Sequence, residues 1–155
     1  SGVLAHIAGL FSGRGFNIKE LSVGETDNPD YSRMTIVVKG DDQIIEQIKK
    51  QLNKFIDVIK VMDLSNIPAV HREIILLKVK AEAEKRSSIF QIVEIFKGKI
   101  VDIWHETITV EVTGTEGKIE ALIELLRPYG ILEMARTGRV SISRGITRRG
   151  GKRNE

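Results

Sequence analysis

Twice along this chain of 155 residues the hydrophobic spacing switches between a period near 3.6 and a period of two, in nearly the same order. A chain patterned that way must lay amphipathic helices against an antiparallel sheet. The later copy is the fuller one. Residues 73–80 alternate as a strand, and Ile89, Ile92, Val93 and Phe96 mark a helix ended by Gly98. Residues 99–104 and 107–112 form a hairpin. A second helix carries Ile119, Leu122, Ile123 and Leu126, is broken by Pro128 and Gly130, and leads to a strand at 131–136 with a short extension at 140–143.

The earlier copy begins on a helix. Val3, Leu4, Ile7, Ala8 and Phe11 recur at helical spacing until Gly13-Arg14-Gly15, where a left-handed residue can stop the turn. Residues 16–23 favour extended structure, a turn-rich stretch follows at 25–30, and residues 31–39 alternate with Met34, Ile36 and Val38 on one face. Asp41 and Asp42 are cap candidates for a helix carrying Ile44, Ile45, Ile48, Leu52 and Phe55, with Lys49, Lys50 and Lys54 near its end, as the helix dipole favours. Residues 56–62 read as a last strand. The order is therefore α-β-β-α-β against β-α-β-β-α-β, and the difference is a missing first strand, which in a split β-α-β unit lies centrally in the sheet.

The expectation is an α+β chain of two tandem ferredoxin-like βαββαβ domains, the first lacking its first strand because the chain starts inside that domain. Leu64-Ser65-Asn66-Ile67-Pro68-Ala69-Val70 breaks both periodicities and holds one of three prolines. The expected divisions are a first domain at 1–66, a linker at 67–72, a second domain at 73–143 and a flexible basic tail at 144–155.

Composition narrows the chemistry. Without cysteine there is no disulfide framework, thiolate metal site or cysteine nucleophile. His6, His71 and His105 lack paired ligand spacing. No apolar run approaches the roughly 20 residues that span a bilayer, so the reading is a soluble, cytoplasmic chain with no membrane partner. The net charge of +3 is concentrated in the last 12 residues, where Arg144, Arg148, Arg149, Lys152 and Arg153 face only Glu155. The rest carries about −1, which weighs against a nucleic-acid surface.

Two glycine-rich stretches fail as phosphate loops. Gly13-Arg14-Gly15 follows a helix and precedes a strand, the reverse of the order that aims a helix at a phosphate. In Gly114-Thr115-Glu116-Gly117-Lys118 the glycines are too close, and Ile119 stands where a magnesium-binding hydroxyl belongs. Ser32-Arg33, on a half-buried strand, is a contact candidate only.

Longer stretches carry a resemblance. Ser1-Gly2-Val3-Leu4, the run from Gly9 through Gly13-Arg14-Gly15 to Phe16-Asn17-Ile18, Ser32-Arg33-Met34-Thr35-Ile36 and Gln47-Ile48-Lys49-Lys50-Gln51-Leu52 resemble the small regulatory subunit of acetolactate synthase, also called acetohydroxyacid synthase. His71-Arg72-Glu73-Ile74, the run from Glu94 to Asp102, Thr113-Gly114-Thr115-Glu116-Gly117-Lys118 and Ala135-Arg136-Thr137-Gly138 are similar to that family's second domain. The resemblance covers nearly all of residues 1–145, in order.

It implies that the first domain is an ACT module whose homodimer interface binds the feedback inhibitor valine, with no catalytic residues in this chain. The implied partner is the large catalytic subunit, which would hold thiamine diphosphate, magnesium and FAD; no cofactor is implied here. The implied role is to activate that subunit in branched-chain amino-acid biosynthesis and to confer valine inhibition.

The implied valine ligands are Gly2, Val3, Leu4, Asn17 and Ile18. A helix start with a glycine suits a carboxylate, and the asparagine amide can bond a ligand amine or carboxylate. On residue chemistry alone Gly2 fits a tight loop before a helix equally well, and Asn17 fits a left-handed position after Gly15. An amino-acid-responsive ACT-type transcription regulator is the rival function, but it requires a helix-turn-helix or ribbon reader that the sequence does not display.

Overall fold

The computed structural model of the chain describes residues 2–145. Residues 2–70, together with 141–145, group into one unit, and His71–Val140 form a second. Most of the expected basic tail, residues 146–155, lies outside the described residues.

In the first unit, α1 (Gly2–Arg14) leads to a hairpin of β1 (Asn17–Glu25) and β2 (Ser32–Lys39), followed by α2 (Asp42–Leu52). The stop after α1 is where the glycine spacing puts it. Gly15 takes a φ of +68°, and the Phe16 amide reaches back to the Phe11 carbonyl at 3.2 Å, closing the helix end. β1 and β2 pair antiparallel from Asn17 opposite Lys39 to Glu25 opposite Ser32, with a bulge between Ile18 and Glu20. Asp41 caps α2 by accepting from the Ile44 amide at 3.0 Å, and Lys49 and Lys50 occupy the last turn. The apolar stripes meet in a small core of Ile7, Phe11, Ile48 and Leu52, against which Met34, Ile36 and Val38 pack from the sheet.

The expected strand at 56–62 is not a strand. A strand needs a neighbour for its backbone groups, and among the described residues the first unit's sheet contains only β1 and β2. Val58 and Val61 still pack on the core. Ile56 and Ile59 are exposed, so the inward residues are three apart and not two, as an irregular segment allows.

The second unit contains all six expected elements. β3 (Ala69–Lys80) starts four residues before the apolar alternation, and α3 (Arg86–Ile95), β4 (Lys99–Ile103), β5 (Thr107–Gly114), α4 (Glu116–Leu126) and β6 (Ile131–Arg136) follow. The strands are ordered β4-β5-β3-β6, and β7 (Val140–Ser143) also pairs with β3. β3 and β5 run antiparallel from Glu73 opposite Gly114 to Lys80 opposite Thr107. That register puts Ile75, Leu77, Val79, Ile108, Val110 and Val112 on one face, under Ile89 and Val93 of α3 and Ile119, Leu122, Ile123 and Leu126 of α4. A slip of one residue would turn the whole inner set to solvent.

α3 ends just ahead of Gly98, where the sequence places its stop. Lys97, not Gly98, adopts the left-handed conformation, with φ 53°. The Lys97 amide donates to the Glu94 carbonyl at 2.9 Å and the Gly98 amide to the Val93 carbonyl at 2.8 Å, the paired bonds of a Schellman end. Gly98 is a glycine for want of room: an added Cβ would lie 2.7 Å from Val112 Cγ2 and 3.0 Å from Val93 Cγ1. The expected mixed α+β architecture of two ferredoxin-like domains is present, the first, among the described residues, without its first strand and without the expected last one.

Candidate functional site

The five expected ligand residues fall into two groups. Gly2, Val3 and Leu4 form the first turn of α1, where the backbone N–H groups of a helix have no intrahelical acceptor. Gly2 is helical rather than part of a preceding loop, and a Cβ built on it would meet nothing within 4 Å. Val3 packs against the small core, while Leu4 is 39% exposed. Asn17 and Ile18 open β1, opposite Lys39 and Val38. Asn17 is exposed and extended, Gly15 having taken the left-handed position, and Ile18 packs on the core.

The groups are not together within one chain. α1 spans 13 residues, and at about 1.5 Å per residue its ends lie about 18 Å apart. Asn17 follows three residues after the last helical one, at the far end. A free amino acid reaches across about a third of that distance.

One cavity in this unit, of about 770 Å³, is lined by Phe16, Gln47, Lys50, Gln51, Asn53 and Lys54. None of the five residues lines it. Its two lysines sit at the carboxyl end of α2, where cations favour the helix dipole without any ligand. Arg33 donates from Nη2 to the Ser141 carbonyl at 3.1 Å, a backbone contact.

His6 stacks on Phe55, with ring centroids 6.4 Å apart, and His105 meets Trp104 edge-on at 5.2 Å. Among the described residues no three His, Asp or Glu side chains are grouped to hold a metal ion. Nor does any helix there have the length and apolarity to cross a membrane.

Sequence reasoning missed the ion-pair cluster of the second unit. Glu73 is 3% exposed and accepts from Arg136 Nη2 at 2.6 Å, while Arg136 Nη1 donates to Glu120 at 2.8 Å. These carboxylates, Glu73 foremost, hold the Arg136 guanidinium above its usual range. Arg139 bonds Glu116 at 2.8 Å, so two arginines fasten the end of β6 and the turn after it to the first turns of α4. Glu73 Oε2 has no hydrogen-bond partner. The signal was available: Glu73 shares the inward register of Ile75, Leu77 and Val79.

Known proteins share this architecture. Residues 1–60 match the family model of the acetohydroxyacid synthase small subunit-like ACT domain, and residues 72–145 match that of the small subunit of acetolactate synthase. The chain is 54% identical, over 93% of its length and 86% of the relative's, to a probable acetolactate synthase small subunit of Methanothermobacter thermautotrophicus. It is 55% identical, over 94% of its length and 77% of the relative's, to the acetolactate synthase small subunit of Aquifex aeolicus. The crystal structure of the small subunit from Thermotoga maritima superimposes with a TM-score of 0.87 at 46% identity, covering 95% of this chain and 92% of that one. With both of its units matched in order and at this level of identity, the chain belongs to the family of acetolactate synthase small subunits.

Proposed function

We propose that this chain activates an acetolactate synthase catalytic subunit and makes it sensitive to valine, acting as a homodimer through its first unit. The observation that carries the reading is the separation of the two ligand groups by the length of α1. No single chain closes both groups on one small amino acid. Two copies related by a two-fold axis bring the helix start of one to Asn17 and Ile18 of the other, and symmetry makes two such sites.

The chemistry of each group suits one part of the ligand. The free N–H groups of the α1 first turn donate to a carboxylate, and Gly2 leaves space for its approach. The Asn17 side-chain carbonyl accepts from the ligand ammonium. Val3, Leu4 and Ile18 supply apolar contact for a branched side chain. Thiamine diphosphate, magnesium and FAD belong, in this reading, to the catalytic partner, and the pair works in the cytoplasm.

Binding at a shared interface couples the ligand to dimer geometry, and linkage requires that valine and the catalytic subunit alter each other's affinity by the same factor. The test mixes the full-length protein with a cognate catalytic subunit and measures activity with and without valine. Stimulation without valine and its loss with valine support the reading; no effect in either condition refutes it.

A further inference from the structure

β4 is an edge strand: β5 pairs with one side, and among the described residues no strand pairs with the other. Edges are normally guarded by charge, brevity or bulges. β4 has Lys99 and a bulge between Ile100 and Asp102, yet Val101 and Ile103 are each half exposed and the following Trp104 is 66% exposed. Apolar side chains and free backbone groups thus share one edge.

The bulge does more than guard. Lys99 lies opposite Glu111 and Asp102 opposite Thr109, and those two β5 residues share the face turned away from the helices, because Val110 between them is in the core. Residues three apart on a regular strand point to opposite faces. Here the extra residue brings Lys99 and Asp102 to the same face.

A second β4 laid antiparallel across this edge, on a two-fold axis between Ile100 and Val101, sets Lys99 opposite the second copy's Asp102 and Asp102 opposite its Lys99. Two-fold registers centred on Lys99 or on Asp102 put like charges together, which is unfavourable. The adjoining hairpin tip is already rigid. Arg86 donates to the carbonyls of Trp104 and His105, and the Trp104 amide donates to the Thr107 carbonyl at 2.9 Å.

We propose that the β4 edges of two copies of this chain pair antiparallel in the register that joins Lys99 to Asp102 twice, giving a continuous sheet with the helices of both copies on one side. The occupant is a second copy because the charge order is complementary to itself. The pairing is independent of valine binding, and it succeeds or fails separately from that reading.

The chain has no cysteine, which makes the test clean. Directly opposed residues in an antiparallel pair have Cα atoms about 4.5–5.5 Å apart, within disulfide reach. Positions 99 and 102 of one strand are separated by about 10 Å and cannot bridge each other. Under mild oxidation the full-length Lys99→Cys/Asp102→Cys double variant forms a covalent dimer at least tenfold more than either single variant, and peptide mapping locates the bond between positions 99 and 102. Cross-linking no greater than in the single variants, or a ladder of higher species, overturns the proposal. Both substituted side chains are exposed, and circular dichroism of each variant before oxidation confirms that the comparison is between folded proteins.

Discussion

Replacing Arg136 by methionine removes a guanidinium that bonds Glu73 at 2.6 Å and Glu120 at 2.8 Å. Glu73, 3% exposed, is then left in the sheet interior with neither oxygen paired, since Oε2 already lacks a partner. Breaking a buried pair from one side costs about 3–5 kcal/mol. The Arg136 side chain is itself 26% exposed, so water reaches the site and the expected loss lies near the lower end, about 3 kcal/mol. Glu73→Leu is the contrasting variant. It deletes the carboxylate together with its orphaned oxygen and leaves Arg136, 26% exposed, bonded to Glu120, so no unpaired group is left buried and the loss is expected to be smaller than for Arg136→Met.

The double variant Glu73→Leu/Arg136→Met is expected close to Glu73→Leu alone, because the stranded charge is gone. Urea unfolding followed by fluorescence of Trp104, the chain's one tryptophan, reads the unit that contains the pair. With a slope of about 1–3 kcal/mol/M, the Arg136→Met midpoint falls below that of Glu73→Leu by about 1 M or more. Equal midpoints, or a lower one for Glu73→Leu, refute the claim that desolvated charge governs this cluster.

Other substitutions test other layers. Lys97→Gly relieves a left-handed lysine and raises stability by about 0.5–1 kcal/mol, whereas Gly98→Ala drives a methyl group into Val112 and lowers it by about 1–3 kcal/mol; denaturant midpoints decide both. Leu122→Ala, at a position with no exposed surface, costs about 2–5 kcal/mol in the same assay. In the first unit, valine raises the thermal midpoint of the full-length protein, by about 2.7 kcal/mol of stabilisation at a hundredfold excess over Kd. Gly2→Asp abolishes that rise by placing a carboxylate against the ligand's own; a wild-type protein indifferent to valine defeats the sensing claim.

The Ser65 hydroxyl and amide donate to Asp63 at 2.6 and 2.9 Å and hold its carboxyl below the usual range. The folded form therefore favours the charged group, and its small contribution to stability is present above the unfolded pKa and lost as pH falls through the folded one. Titration by NMR shows the Asp63 midpoint moving up in Ser65→Ala; an unmoved midpoint removes the hydroxyl as the main cause.

What could be read before folding follows the range of the interaction involved. Helix spacing, the Asp41 cap and the Gly15 stop depend on residues within one turn, and they were legible. So was the inward set of β3. The stretch at 56–62 shows the limit: its apolar residues read as a strand, yet Ile56 and Ile59 are exposed, and strand formation depends on a neighbour that no local pattern contains. Gly98 marks the helix end, but the reason it is glycine lies elsewhere in the fold. A glycine at a helix end suggests left-handed backbone, whereas here Val112, from a different strand, set the requirement. Arg136 and Glu73 are 63 positions apart, and only the β3–β6 register brings them together. The five ligand residues were named through resemblance. That they divide between the two ends of α1 follows from helix length, which the sequence does contain.

The two interiors differ in depth. Among the described residues thirteen buried side chains form the second core and four the first. Buried contacts set the free energy of local opening, so amides of the second unit should be the last to exchange with solvent deuterium, and those of the first should exchange through partial openings well below global unfolding. An effector that binds only the closed form suppresses such openings most where the unliganded reserve is smallest. The shallow interior around Ile7 and Phe11 thus gives a weak metabolite leverage that the deeper interior would deny it: a few kcal/mol of binding free energy is a large fraction of what holds that unit shut.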